Sequence, residues 1–483
     1  MNKLKSLTEN RYTLNDIFTK NYQIWAVVPL IIYLLAPVVH MIVYAVLYKE
    51  EFENDEIIHF IATAEKPGDY YTPIVQFAFV LGVLFALVAF TAFISAKKEN
   101  NFKRFPDNIP ILFFAGFLAL IVVSTIANKT ESNYIWGFTV RAEGVTSFFC
   151  YYLVYFLCGT FIDKEKYKYF LMYFFLLTGV VIGVLTIINE YFTNINIIEN
   201  EFVCGIFYHP NFYAYYLSIS IMLASTLAIL DKSKARRILS FFIFAFDTFI
   251  LAINDSLGGF LACIVAFLFV IFFVTLKNKK FCFPALGMFA VFLVIIFVTG
   301  LFTPSYFSEL IGLGKDVEKI VTDSENAGDA GTARWTLWTH TAQYIKEKPW
   351  IGWGFEGTAE RLGTETHADK AHNEYLENMA YFGIPAGIIY VAGLMSVYIK
   401  AIKRRKYVDN ATICCLAGAL GYIGSAFVGN SFIFMAPFCF IFLGLANSSL
   451  EKLQPVEAPA EDLPDDITPE KSDAEEAFEN DAE

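Results

Sequence analysis

The sequence predicts an all-α integral membrane protein, with about twelve transmembrane helices packed as one bundle. More than half of its 483 residues are hydrophobic (56%), and the mean hydropathy is +0.49. Apolar runs of roughly 20 residues, the length that spans a hydrocarbon core, recur along the chain. One long polar interruption, residues 303–375, separates the ninth run from the tenth.

The apolar runs set the predicted domain boundaries. Residues 1–302 hold helices 1–9, residues 303–375 form a large, partly helical loop, residues 376–450 hold helices 10–12, and residues 451–483 form a tail. Residues 1–23 are polar and the first apolar run has spanning length, so no cleavable signal peptide is expected. The predicted spans are 24–48, 74–96, 109–127, 145–162, 169–189, 205–230, 238–253, 257–276, 281–302, 376–399, 411–428 and 432–450.

The distribution of cations predicts the orientation. With the N-terminus in the cytoplasm, the alternate inner connections carry clusters of Lys and Arg, whereas the short outer connections hold only Lys49, Lys66, Lys129 and Arg141. Cationic connections resist translocation, so this imbalance predicts a multi-pass protein of the cytoplasmic (inner) membrane with both termini inside. The same assignment places residues 136–144, 204–211, 254–259 and the long loop on the extracytoplasmic face.

Composition and motifs exclude several classes of function. Thirteen acidic residues and two lysines in 451–483 account for −11 of the net charge of −12, so the acidity belongs to a cytoplasmic tail predicted to be disordered. The eight cysteines form no CxxC pair, and we expect no disulfide framework. No Gly-rich nucleotide loop, DxD motif or nucleic-acid-binding pattern is found. We therefore expect no cofactor and no nucleic-acid partner.

The first candidate site residue is Arg334, which begins an amphipathic segment. Trp335, Trp338, Ala342 and Ile345 follow it at helical spacing, and the segment ends near Pro349. This pattern predicts a helix that lies against the bundle or the lipid surface, with its tryptophans at the membrane boundary. An Arg at that depth can bind phosphate oxygens bidentately. The alternative is a surface Arg that pairs with a Glu or with lipid headgroups.

The second candidate is His372-Asn373, at the start of the next apolar run. A neutral imidazole there can accept a proton from a hydroxyl group near neutral pH, and Asn373 or Glu374 can orient it or cap the helix. The alternative is an ordinary loop histidine. Glu365, His367, Asp369, His372 and Glu374 also crowd this run, but their spacing matches no compact zinc pattern, so no metal site is expected.

Three further polar positions admit two interpretations each. Arg141 precedes a spanning run, where it is either a ligand for an anion or an interfacial anchor paired with Glu143. His209-Pro210-Asn211 begins another run, either as part of a site or as a helix start. Asp247 lies inside an apolar run, where an ionisable side chain is either functional or a hydrogen-bonded packing residue.

These residues resemble the O-antigen ligase/O-antigen polymerase superfamily of polytopic membrane glycosyltransferases. The carrying pattern is an Arg, a Trp four residues on, Pro-x-x-Gly-x-Gly, His-Asn-x-Tyr-Leu, then Gly-x-x-x-Gly. Here it is formed by Arg334, Trp338, Pro349, Gly352, Gly354, His372, Asn373, Tyr375, Leu376, Gly383 and Gly387. Residues 141–144 and 205–211 are also similar to the family. One departure is Ser256-Leu257-Gly258, where members often have an arginine at the position of Leu257.

The resemblance implies metal-independent, inverting transfer of a glycan from undecaprenyl diphosphate to an acceptor hydroxyl on the extracytoplasmic face. It implies His372, Arg334 and Asn373 as catalytic residues, and Arg141, Arg334, His209, Asn211, Trp338 and Lys370 as substrate-binding residues. The implied partners are the lipid-linked glycan, membrane lipid, and an acceptor that is a glycan, a lipid or a protein. The alternatives are a lipid-linked oligosaccharide flippase or other transporter, and a protein O-oligosaccharyltransferase. A transporter should place charged groups at mid-membrane, and the arginines lie outside the spanning runs.

Overall fold

The computed structural model describes residues 22–47, 109–137, 143–162, 164–191, 207, 209–302, 334–366, 368–406, 408–433 and 435–452. The regular elements in these ranges are fifteen α-helices and one 3₁₀ turn. They are α1 Tyr22–Leu47, α2 Ile109–Ala127, α3 Ser132–Trp136, α4 Val145–Phe161, α5 Glu165–Tyr191, α6 Pro210–Leu230, α7 Lys234–Asn254, α8 Leu257–Lys277, the 3₁₀ turn Lys279–Phe281, α9 Cys282–Gly300, α10 Arg334–Glu347, α11 Ala359–Thr366, α12 Glu374–Phe382, α13 Ile384–Lys403, α14 Asn410–Ser425 and α15 Ala436–Lys452.

The predicted all-α membrane class is confirmed. Seven helices of the described ranges are long and apolar enough to cross a membrane, namely α2, α5, α6, α7, α8, α13 and the segment Lys279–Gly300 that contains α9. Four shorter apolar stretches lie in α1, α4, α14 and α15. The predicted span 74–96, the loop segment 303–333 and the tail from 453 onward lie outside the described residues. The count of twelve spans therefore stays a prediction.

The predicted span 376–399 is two helices in the structure. α12 ends at Phe382, and α13 begins at Ile384 with a proline in its first turn. Gly383 between them has a φ of 92°, a left-handed conformation that glycine adopts without strain. A side chain at this position would also collide with the backbone of Trp350. Gly383 therefore separates the short helix α12 from the apolar helix α13.

The bundle is built around α6. Every residue of this helix from Phe212 to Leu230 is buried, and α14, α7, α8 and α5 pack against it. Ala and Ser recur along α6, and small residues let neighbouring helix backbones approach closely. Asp247 of α7 is buried and accepts a hydrogen bond of 2.6 Å from Ser220 of α6. This contact favours the packing interpretation of Asp247.

The helices define two ends of the bundle. At one end, which we call the polar end, α4, α6, α8 and α12 begin and α2, α7 and α14 end. At the opposite end, which we call the basic end, cationic side chains donate hydrogen bonds to backbone carbonyl groups: Lys168 to Leu445, Lys277 to Val408 and Arg237 to Ala228. All connections in the described ranges that were predicted to be cytoplasmic lie at the basic end.

Candidate active site at the polar end

His372 directly precedes a helix start whose backbone is fixed by hydrogen bonds. The side-chain oxygen of Asn373 caps the helix by accepting the backbone N–H groups of Tyr375 and Leu376, both at 3.1 Å. The backbone N–H of Glu374 donates to the carbonyl of Ala426 at the end of α14 (2.9 Å). His372 itself is half-buried and has a φ of 49°. Such a conformation is uncommon for a non-glycine residue, and left-handed residues of this kind cluster at functional sites.

The residue that follows the cap is a buried carboxyl group. Tyr390 and Tyr422 both donate hydrogen bonds to Glu374, the latter at 2.8 Å. Burial raises the pKa of Glu374 to about 7; the two tyrosine hydrogen bonds oppose this shift, and the nearby Glu143 and Glu377 add to it. The sequence alone suggested only a cap or an orienting role for Glu374. An acidic residue at the start of an apolar run is costly to bury, and this property marks Glu374 in the sequence as a candidate functional residue.

The raised pKa predicts a pH-dependent stability. Between about pH 4.5 and pH 7 the folded protein keeps a proton on Glu374 that the unfolded chain has lost. The contribution of Glu374 to the free energy of unfolding is therefore complete below pH 4.5 and falls as the pH rises toward 7. Glu374→Gln should flatten this part of the profile. Thermal midpoints of both proteins from pH 4 to pH 8 measure it, and parallel profiles would show that Glu374 is ionised in the folded state.

Arg334 begins α10, and α10 packs against α12. It lies within electrostatic range of the phenol of Tyr215 on α6. The Tyr215 ring in turn contacts the ring of Tyr422, with centroids 5.1 Å apart, and Tyr422 bonds Glu374. The structure therefore places Arg334 and His372 at the same end of the bundle: Arg334 begins α10, His372 precedes the cap of α12, and the two helices touch.

The buried face of α10 differs from the predicted one. Leu337, Thr341, Tyr344 and Ile345 are buried, while Trp335 is exposed. Trp338 is half-buried beside a small cluster formed by Leu337, Tyr344 and Leu362, and its indole N–H has no hydrogen-bond partner in the described part of the chain. α10 packs on α11 and α12 through this buried face, and Trp335 lies outside the face.

The Pro-x-x-Gly-x-Gly motif attaches this small unit to the bundle. The backbone N–H groups of Trp353 and Gly354 donate to the carbonyls of Ala380 and Tyr381, both at 2.9 Å. Gly352 has a φ of 71°, and a side chain there would collide with the backbone of Tyr381. Because the two backbones lie so close, only glycine fits. The motif therefore fixes α10, which carries Arg334, relative to α12.

Lys370 lies in a cluster of three carboxylates. Its ammonium nitrogen is 3.4 Å from Glu377, 3.7 Å from Glu143 and 3.7 Å from Glu356, and the lysine is only 2% exposed. Glu143 also accepts hydrogen bonds from Tyr151 (2.7 Å) and Ser431 (2.9 Å). This cluster ties the start of α4 to α12 and to the loop after α14.

We expect the loss of this cation to destabilise the fold strongly. Lys370→Met leaves three carboxylates around an apolar side chain, and breaking a buried ion pair costs about 3–5 kcal/mol. The thermal midpoint in detergent should therefore fall sharply. The matched control is Lys346→Met on the exposed face of α10, which should stay close to wild type. Equal behaviour of the two variants would contradict a stabilising role for Lys370.

His209 and Asn211 lie at the start of α6. The Nδ1 atom of His209 accepts the backbone N–H of Asn211 at 3.1 Å, so the histidine caps the helix, and its ring contacts Phe212. The side-chain oxygen of Asn211 accepts a hydrogen bond from Ser256, the cap of α8, at 3.0 Å. Both residues are at the polar end. Leu257, which follows Ser256, is half-buried against the core.

Two residues of the sequence hypotheses lie outside the described residues, namely Arg141 and His367. Glu143 and Gly144, which follow Arg141, are described and lie at the polar end. Within the described ranges, no group of three or more His, Cys, Asp or Glu side chains is arranged to hold a metal ion. The seven cysteines of these ranges are free, and six of them are buried.

One comparison with known proteins identifies a related family. Residues 239–391 match the family model described as O-Antigen ligase. The matched segment runs from α7 into α13 and contains Arg334, Trp338, His372 and Asn373, whereas Arg141, His209 and Asn211 precede it. No curated protein matches the chain.

Proposed function

We propose that this multi-pass membrane protein, whose residues 239–391 match the O-Antigen ligase family model, transfers a glycan from undecaprenyl diphosphate to an acceptor hydroxyl. The observation that carries the proposal is the contact between α10, which begins with Arg334, and α12, which follows His372. That contact supports a single site with a guanidinium group and an imidazole. The proposed site faces the extracytoplasmic side of the inner membrane.

In this proposal Arg334 and Arg141 bind the diphosphate. The bond that breaks joins the anomeric carbon of the glycan to the diphosphate oxygen, so negative charge grows on the leaving group. Guanidinium groups stabilise such charge with paired N–H donors, and this requires no divalent cation. The position of Arg334 at the first turn of α10 supports this role, because its side chain is half-buried rather than fully solvated. Trp338, one helical turn on, would contact the lipid-linked donor.

His372 is proposed as the general base. Its imidazole takes the proton of the acceptor hydroxyl, whose oxygen then attacks the anomeric carbon from the face opposite the diphosphate and inverts the configuration. The backbone of His372 is fixed on one side by the Asn373 cap and the Glu374–Ala426 hydrogen bond. Asn373 therefore acts as a positioning residue.

The remaining candidate residues are proposed to support the site rather than to bind the diphosphate. Lys370 is committed to three carboxylates, which supports a role in holding Glu143 and α12 rather than in binding the diphosphate. His209 and Asn211 form hydrogen bonds at the starts of α6 and α8, so we propose that they shape the wall of the site. This chain has Leu257 where family members often have an arginine, so only Arg141 and Arg334 are proposed to bind the diphosphate.

The experiment that tests this function is an inventory of lipid-linked glycans in a strain that lacks the protein. Loss of a polymerase leaves single repeat units on the lipid carrier, and loss of a ligase leaves full-length polymer there. Either accumulation on the extracytoplasmic face supports the proposal. Accumulation on the cytoplasmic face would contradict it and would indicate a flippase.

A further inference from the structure

A groove lies between α5 and α7 at the basic end, far along the bundle from the candidate active site. It has a volume of about 600 Å³, and its rim is formed by Glu165, Lys166, Lys232 and Arg236. Its wall is formed by aromatic and aliphatic side chains of the two helices. These are Tyr169, Phe170, Tyr173, Phe174, Leu177 and Leu239.

The wall of the groove matches a lipid chain. Phe170, Phe174 and Leu177 recur at helical spacing on one face of α5. Phe170 is 46% exposed, Leu177 48% and Leu239 41%. An apolar surface of this kind beside a candidate membrane span contacts acyl chains rather than water.

The rim of the groove carries a surplus of positive charge. Glu165 pairs with Lys232 at 3.0 Å, but both side chains are largely exposed, and exposed pairs are weak. Asp231, behind the rim, bonds Nε and Nη2 of Arg236 and leaves Nη1 without an acceptor in the described structure. Within the described residues, Lys166 forms no ion pair, and its ammonium nitrogen lies 4.7 Å from the centroid of the Tyr167 ring. The groove therefore presents cationic donors above an apolar wall.

A hydroxyl group in the wall gives a second, independent indication. The side chain of Tyr169 is 7% exposed, and its hydroxyl has no hydrogen-bond partner within the described ranges. The neighbouring hydroxyl of Tyr173 is already bonded to Asp231 and Ser240. Buried hydroxyl groups are normally paired, so Tyr169 is available to a ligand that brings an acceptor atom.

We propose that this groove binds one anionic phospholipid, with its phosphodiester among Lys166, Lys232, Arg236 and the Tyr169 hydroxyl. Its acyl chain lies along Phe174 and Leu177. A phosphodiester supplies the acceptor oxygens and the negative charge, and basic pockets between membrane helices recognise such headgroups. This site is separate from the proposed glycan-transfer site and does not depend on it.

Native mass spectrometry of the purified full chain tests the proposal, with phosphatidylglycerol and phosphatidylcholine offered in equal amounts. We expect one tightly held phosphatidylglycerol, and Lys166→Gln/Lys232→Gln should weaken its binding about 10-fold or more. The matched control is Lys279→Gln/Lys280→Gln, which removes two exposed lysines at the same end outside the groove and should change binding less than about twofold. An equal loss in both double variants would overturn the proposal.

A milder variant covers the case in which the double substitution disturbs folding. Tyr169→Phe keeps every charge and the aromatic ring, and it should weaken phosphatidylglycerol binding about 10-fold by removing one hydrogen bond to a charged group. Unchanged binding would contradict the assigned role of the hydroxyl. Inorganic phosphate should not displace the lipid, and displacement by phosphate alone would indicate a soluble-anion site instead.

Discussion

His372→Asn should abolish glycan transfer while the protein stays folded. Loss of a general base lowers the rate by about 10²–10⁴-fold. Asparagine is a better replacement than alanine for keeping the fold, because the backbone at residue 372 has a φ of 49° and asparagine tolerates that conformation better. The measurement is the rate of donor consumption by the purified protein with a polyprenyl-diphosphate-linked glycan and an acceptor.

The control for this variant is a histidine of the same region. His340 lies on α10. Its Nδ1 atom is 2.9 Å from the carbonyl oxygen of Thr336, and its Nε2 atom is 3.7 Å from the carboxylate of Glu365. His340→Asn should therefore leave the rate within about twofold. Near-normal turnover by His372→Asn, or an equal loss in both variants, would remove His372 from the role of base.

Arg334→Lys should also lose most of the activity. Lysine keeps the positive charge but not the planar pair of donors that binds a phosphate bidentately. We expect a loss of about 10²-fold in the transfer rate, since removing one donor to a developing oxyanion costs about that much. The same assay measures it, with the donor concentration varied so that weaker binding and slower chemistry are separated.

Arg361→Lys is the matched arginine control. Arg361 lies on α11 and is engaged by Glu347 (2.7 Å) and Glu365 (3.2 Å) on the surface of the loop unit. Its replacement should reduce activity only slightly, because surface ion pairs contribute little. If Arg334→Lys were as active as this control, Arg334 would be an interfacial anchor and not a diphosphate ligand.

The helices could be predicted well from the sequence, because each spanning run is a long, continuous apolar segment. The run 109–127 was predicted with the bounds that α2 has in the structure. The sequence analysis predicted no break at Gly383, because the apolar run continues through it, although Gly383 and Pro385 are a local signal for a break. The need for glycine at this position comes from the backbone of Trp350, which is distant in sequence.

The candidate site could be predicted only in part. Arg334 and His372 are visible in the sequence, because Arg334 begins an amphipathic segment and His372 directly precedes an apolar run. Their partners are not visible. The hydrogen bonds of Tyr390 and Tyr422 with Glu374, and the ion pairs of Lys370 with Glu143, join residues that helix packing alone brings together.

The most direct test of glycan transfer uses the purified protein in liposomes with a polyprenyl-diphosphate-linked glycan, an acceptor and excess EDTA. The proposal predicts release of free polyprenyl diphosphate in equal amount to a new glycosidic bond of inverted configuration. Movement of the intact donor across the bilayer without cleavage, or transfer that stops when EDTA is added, would contradict it.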